Sequence, residues 1–210
     1  MTRPAYYAPT GTTAGDLVAI LHLPYTLWHL SYVAIGAGLA TTLDGWRLIG
    51  TVTAFFFGLG IGAHALDEYN GRPLGTRVSD RSLLVFGVGG LASSLIVAVI
   101  GAVAISPWVL AWALAGILMA AAYSLEWSPL LHTDLGFAVA WGAFPVVVGY
   151  WAQSLTVSLA AILAAVAAVL FSLAQRRLST PARFVRRRTE SVELSFNRGE
   201  SSWEKGDLLA

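Results

Sequence analysis

The chain contains no cysteine, so neither a disulfide nor a thiolate metal site is open to it. Charge is almost as scarce. Asp, Glu, Lys and Arg make up 12% of the 210 residues, where an ordinary soluble domain has about 25%. No charged residue stands between Arg81 and Glu126, and none between Asp134 and Arg176. So few charges cannot cover a water-facing surface, which argues against a soluble globular domain. The formal net charge is +1. That gives no overall attraction to a polyanion, and no nucleic-acid partner is expected. Residues 1–16 also lack the basic-then-apolar pattern of a cleavable leader.

What the chain has in excess is apolar surface: 56% hydrophobic residues and a mean hydropathy of +0.67. A helix that crosses a bilayer needs about 20 mainly apolar residues, each adding about 1.5 Å across a core of about 30 Å. Six segments qualify, near residues 18–41, 48–66, 83–104, 107–125, 135–153 and 156–174. The sequence therefore predicts an all-α integral membrane protein. It has a short N-terminal segment (1–17), a six-helix transmembrane domain (18–174) and a basic, disordered tail (175–210). Ser106-Pro107 and Gln153-Ser154 mark tight hairpins, and Pro145 predicts a kink in the fifth helix.

Basic residues set the expected orientation. Arg3 precedes the first span, Arg72, Arg77 and Arg81 lie between the second and third, and most others follow the sixth. The loop between spans one and two holds Arg47 alone, and the 3–4 and 5–6 connections hold none. By the positive-inside rule, both termini and the 2–3 and 4–5 loops face the cytoplasm of a bacterial-type membrane. The basic tail would also be drawn to anionic lipid headgroups.

Polar residues inside the spans are the candidate functional groups. His22, Tyr25, Thr26 and His29 fall on one stripe of the first helix. Facing lipid would leave their donors unpaired, so the stripe faces the bundle. It either makes packing hydrogen bonds or, with Tyr123, lines a substrate cavity. The second span is apolar from Leu48 to Ala63 and then presents His64, Asp67 and Glu68. Acids at a helix C-terminus oppose the macrodipole, which favours bases there. Something cationic is expected beside them. One reading is a structural network among Asp67, Glu68, Arg72 and Arg77. The other is a Mg²⁺–phosphate ligand, with the carboxylates on the metal and the arginine forks on phosphate oxygens. Glu126, His132 and Asp134 follow the fourth span and share the expected cytoplasmic face.

Three stretches resemble the UbiA-type membrane prenyltransferase superfamily. LHLPYTLWHLSYVAIGAGLA is similar to its first helix, GIGAHALDEYNGRPLGTR to its first aspartate-rich loop, and AAYSLEWSPLLHTDLGFAVAWGAFPVVVGYWA to its later tyrosine-serine-proline turn and following helix. The likeness covers roughly residues 20–153. It implies a UbiA-like helical bundle that binds Mg²⁺ and an isoprenoid diphosphate and transfers the prenyl group to a lipophilic acceptor. Carried over, Asp67 and Glu68 are metal ligands, His64 replaces the usual asparagine, and Arg72 and Arg77 contact diphosphate. Glu126 and Asp134 are further metal candidates. The family's second acidic motif has no counterpart, since no carboxylate lies between Asp134 and Glu190. A partner membrane protein is one expected source of that motif and of the additional helices the family has. A non-catalytic membrane subunit or scaffold is the other reading.

Overall fold

The computed structural model describes residues 9, 11–129 and 131–188; the expected disordered segment past residue 188 lies outside them. Among the described residues every regular element is helical. Six apolar helices follow one another: α1 Thr13–Gly38, α2 Gly45–Gly71, α3 Asp80–Ala104, α4 Trp108–Ser124, α5 Asp134–Ser154 and α6 Leu159–Arg188. Five are long and apolar enough to cross a membrane, as a multi-pass membrane protein requires. The fourth predicted span is the exception. It is apolar but stops after 17 residues, because Glu126 turns into the left-handed region (φ 52°) and the Trp127 N–H closes back on the Ala122 carbonyl. The sixth differs in the other direction. Its helix passes residue 174 and runs to Arg188, so the first part of the expected tail is ordered helix.

Local chemistry sets the helix ends. Asp44 accepts from the Trp46 and Arg47 N–H groups at the start of α2. Ser79 accepts from Ser82 at the start of α3. Thr133 accepts from Gly136 at the start of α5. Each satisfies a donor that a helix N-terminus leaves free. α1 is interrupted at Leu21-His22, where His22 adopts φ 45° just before Pro24.

α5 is the central helix. In its most apolar stretch 61% of residues are buried, against 22–33% in the other candidate spans. Its closest neighbour is α1. A Cβ at Gly36 would stand 2.0 Å from the Val146 carbonyl oxygen, and one at Gly149 would stand 2.2 Å from that of Val33. Only glycine allows the two backbones to meet there, the device by which helices pack in lipid. Beside this seam, α2 and α3 also meet closely, a Cβ at Gly90 falling 2.6 Å from the Gly62 nitrogen.

The fifth helix, expected to kink at Pro145, changes its winding just before that residue. It carries a wide π-helical turn over Val139–Ala143 immediately before the proline. A second π-helical stretch, Phe56–Ala63, lies in α2. Such turns leave or redirect backbone carbonyls, and they recur near functional sites.

The up-and-down order gathers the 72–79 and 125–133 loops at one end with the start of α1 and the polar part of α6. Asp16, fully buried, joins that end together by accepting from the Arg77 N–H at 2.8 Å and the Gly11 N–H at 3.1 Å. The 39–44, 105–107 and 155–158 connections lie at the opposite end, where Arg47 donates to the Ala152 and Gln153 carbonyls.

Candidate functional site

The His64, Asp67 and Glu68 side chains leave the end of α2 toward three different surroundings. Glu68 is fully buried. One of its oxygens accepts from the Leu74 N–H at 2.9 Å, and the other from the Thr76 N–H and hydroxyl, both at 2.8 Å. Its carboxylate is the internal anchor of the 72–76 loop. Arg72 has the same task. It takes φ 50° as the C-terminal cap of α2. Its guanidinium donates to the Thr76 and Val78 carbonyls and pairs with Asp80. The acid–base network expected among Asp67, Glu68, Arg72 and Arg77 is thus replaced. Acid and base each bind loop backbone, and the ion pair goes to Asp80. Arg77 enters through its backbone N–H, which donates to Asp16, and its side chain is exposed.

His64 turns into the bundle. Its ring centroid is 5.7 Å from that of His22, and its Nδ1 lies 3.5 Å from the Thr26 hydroxyl. The Thr26 hydroxyl in turn donates to the Leu21 carbonyl at the break in α1. His22 also meets Tyr25 edge to face at 4.7 Å. The polar stripe of α1 therefore does face inward as expected, and His29 shows why it is needed there. Pro145 has no N–H to offer the carbonyl four residues before it, which is that of Trp141. The buried His29 donates to that oxygen from Nδ1 at 2.8 Å. This is a packing use of the stripe, and it ties α1 to α5 at the Trp141 backbone.

Asp67 faces the 4–5 loop. The titratable groups around it are His132, Glu68 and Glu126. His132 stacks on Tyr123 with ring centroids 4.8 Å apart and lies 3.7 Å from Glu126. Tyr123 also meets Phe137 at 6.0 Å and stands edge to face against Trp141 at 5.7 Å. From α6, Arg176 pairs with Asp134 and lies 4.8 Å over the Phe137 ring, and its charge acts on Tyr123. The neighbouring Gln175 donates to the Tyr25 hydroxyl at 2.7 Å. Asp67, Tyr123, Glu126, His132, Asp134 and Arg176 thus converge from four parts of the chain. The fold joins the first acidic loop to the second and adds a cation.

Arg176 and Gln175 are the residues that sequence reading passes over, because they begin what looks like a basic collar. A signal for them exists. Ala161, Ala165, Ala168 and Ser172 form the buried stripe of α6, and Gln175 and Arg176 continue it by one turn.

Among the described residues no group of three or more His, Asp or Glu side chains is arranged to hold a metal ion. Magnesium needs only one or two carboxylates when phosphate oxygens complete its shell. Asp67 and Glu126, whose charges act on one another between the end of α2 and the 125–133 loop, meet that requirement in number. Glu68 does not fit, because its oxygens are committed to the 72–76 loop.

A separate feature lies nearer the other end. A cavity of about 490 Å³ runs between α2, α3, α4 and α5. Compared with models of known families, with curated proteins and with solved structures, the chain matches none.

Proposed function

We propose that this protein binds an isoprenoid diphosphate at the bundle end where Asp67, Tyr123, Glu126, His132, Asp134 and Arg176 converge. The proposed reaction is transfer of the prenyl group to a lipophilic acceptor, in the manner of the UbiA-type enzymes that its sequence resembles. The supporting observation is the meeting of the two loops that carry the resemblance, completed by Arg176 from α6. By the distribution of basic residues, this end faces the cytoplasm.

The chemistry divides among the groups present. A guanidinium forks onto phosphate oxygens, and Arg176, half-buried over Phe137, is the cation positioned to do so. Asp67 and Glu126 are the carboxylates that would hold Mg²⁺, which would neutralise diphosphate charge as it builds on the leaving group. Tyr123, Phe137 and Trp141 give the prenyl end an aromatic wall. Glu68 and Arg72 shape the loop and stay out of ligand contact.

Native mass spectrometry with geranylgeranyl diphosphate and Mg²⁺ tests the reading. The intact protein is expected to retain one diphosphate ligand per chain, and chelation of Mg²⁺ or Asp67→Asn is expected to reduce retention at least tenfold. Retention unaffected by either change would leave the scaffold role as the better description.

A further inference from the structure

We infer that the cavity between α2, α3, α4 and α5 is a second ligand site, made for an uncharged single-chain lipid that enters from the Arg47 end. It does not rest on the diphosphate reading.

The cavity has a clear direction. At one end its lining is open to the surroundings, with Trp46 84% and Ile100 64% exposed. At the other it is closed by Leu59 (4%), Ala120 (2%) and Trp141 (7%). The lining runs along α2 from Trp46 to Leu59, about 20 Å at the helical rise. It therefore reaches most of the way across a hydrocarbon core of about 30 Å. Its volume lies within the range of about 300–1,000 Å³ typical of small-molecule sites. Trp141 separates its floor from Tyr123 and the polar cluster. The Asp67 end is therefore not its entrance.

The charge pattern selects the occupant. Asp44 and Arg47 are the charged residues in the lining. Arg47 donates from Nη1 to the Ala152 and Gln153 carbonyls and lies 3.8 Å from the Asp44 carboxylate, so its charge is offset at the cavity mouth and an incoming phosphate would meet Asp44 as well. Deeper in, Ser94 supplies a hydroxyl among mainly apolar and aromatic walls, the Thr51 hydroxyl nearby being already given to the Arg47 carbonyl. A hydrocarbon chain with a hydroxyl or similar neutral head satisfies this lining; a phospholipid would bring its phosphate beside the Asp44 carboxylate, against an arginine already shared with it.

Gly50 provides a direct test. It lines the cavity, and no atom lies within 4 Å of where its Cβ would stand. Phenylalanine there would fill the space without striking a neighbouring backbone. Native mass spectra of the full chain would be recorded with added geranylgeraniol and, separately, with phosphatidylglycerol. One geranylgeraniol per chain is expected. Gly50→Phe should lower it at least tenfold, while Asp67→Asn leaves it unchanged. Gly89→Phe, on the lipid-facing side of α3 with equally free space, is the matched control and should behave as wild type. Absence of the adduct, an adduct insensitive to Gly50→Phe, or preferential retention of phosphatidylglycerol would overturn the inference. A measurement on the unplugged protein guards against misfolding of the variant. Dibrominated oleyl alcohol should quench tryptophan fluorescence, and Trp112→Phe, which removes a lining indole, should reduce the quenched amplitude. An unchanged amplitude would count against the site.

Discussion

Gly149→Leu is expected to lower stability by about 3 kcal/mol or more, the upper part of the range for overpacked cores. The reason is geometric. A Cβ at Gly149 would lie 2.2 Å from the Val33 carbonyl oxygen and 3.0 Å from its carbon. Both are backbone atoms, so no rotamer change can relieve the contact, and α1 and α5 must separate. That seam sets the position of His29 against Trp141 and of Tyr25 against Gln175, so the polar end should loosen with it. At about 2–4 °C per kcal/mol for a chain of this size, the midpoint of thermal unfolding in detergent should fall by roughly 6–12 °C. Gly89→Leu, where no atom crowds the site, should leave it nearly unchanged. A midpoint within a degree or two of wild type for Gly149→Leu would mean that the helices do not meet at this glycine.

Glu68→Ala should be nearly as damaging, by another route. The carboxylate satisfies the Leu74 N–H, the Thr76 N–H and the Thr76 hydroxyl in a buried setting. Each unpaired buried group costs about 1–3 kcal/mol, so leaving these three donors without their acceptor should cost about 3–5 kcal/mol even with partial relaxation. Glu68→Gln keeps one acceptor oxygen and turns an amide donor toward a donor, so it should fall between wild type and alanine. The measurement is thermal unfolding of the three proteins, with limited proteolysis of the 72–79 loop as the local readout. Equal stability of all three would mean that Glu68 is free to serve as a ligand.

This distinction marks where sequence reading stopped. A carboxylate near the end of an apolar span has the same appearance whether it holds a metal or a loop. The pairing of Glu68 depends on how the six residues after Gly71 fold back, and Arg72 in the left-handed region is not signalled by its residue type. The spans were legible because lipid demands long apolar runs, and five of the six helices are long enough to cross. The fourth is short because of a turn at Glu126 rather than a loss of hydrophobicity. The inward stripe of α1 was legible from spacing; the use of His29 became clear once Pro145 and Trp141 stood beside it. Arg176 was hidden by its company, the first of a run of basic residues whose usual meaning is topology. The apolar cavity left no mark, since the residues that line it are the same types that face lipid.

The shared site at the polar end is most directly tested by a double-mutant cycle with Asp67→Asn and Arg176→Gln, reading the affinity for geranylgeranyl diphosphate in the presence of Mg²⁺. Groups that act on one ligand are coupled, typically by about 0.5–3 kcal/mol. The double variant should therefore bind more tightly than the two single losses would give if added. Additive losses, or no loss from either substitution, would contradict a common diphosphate site.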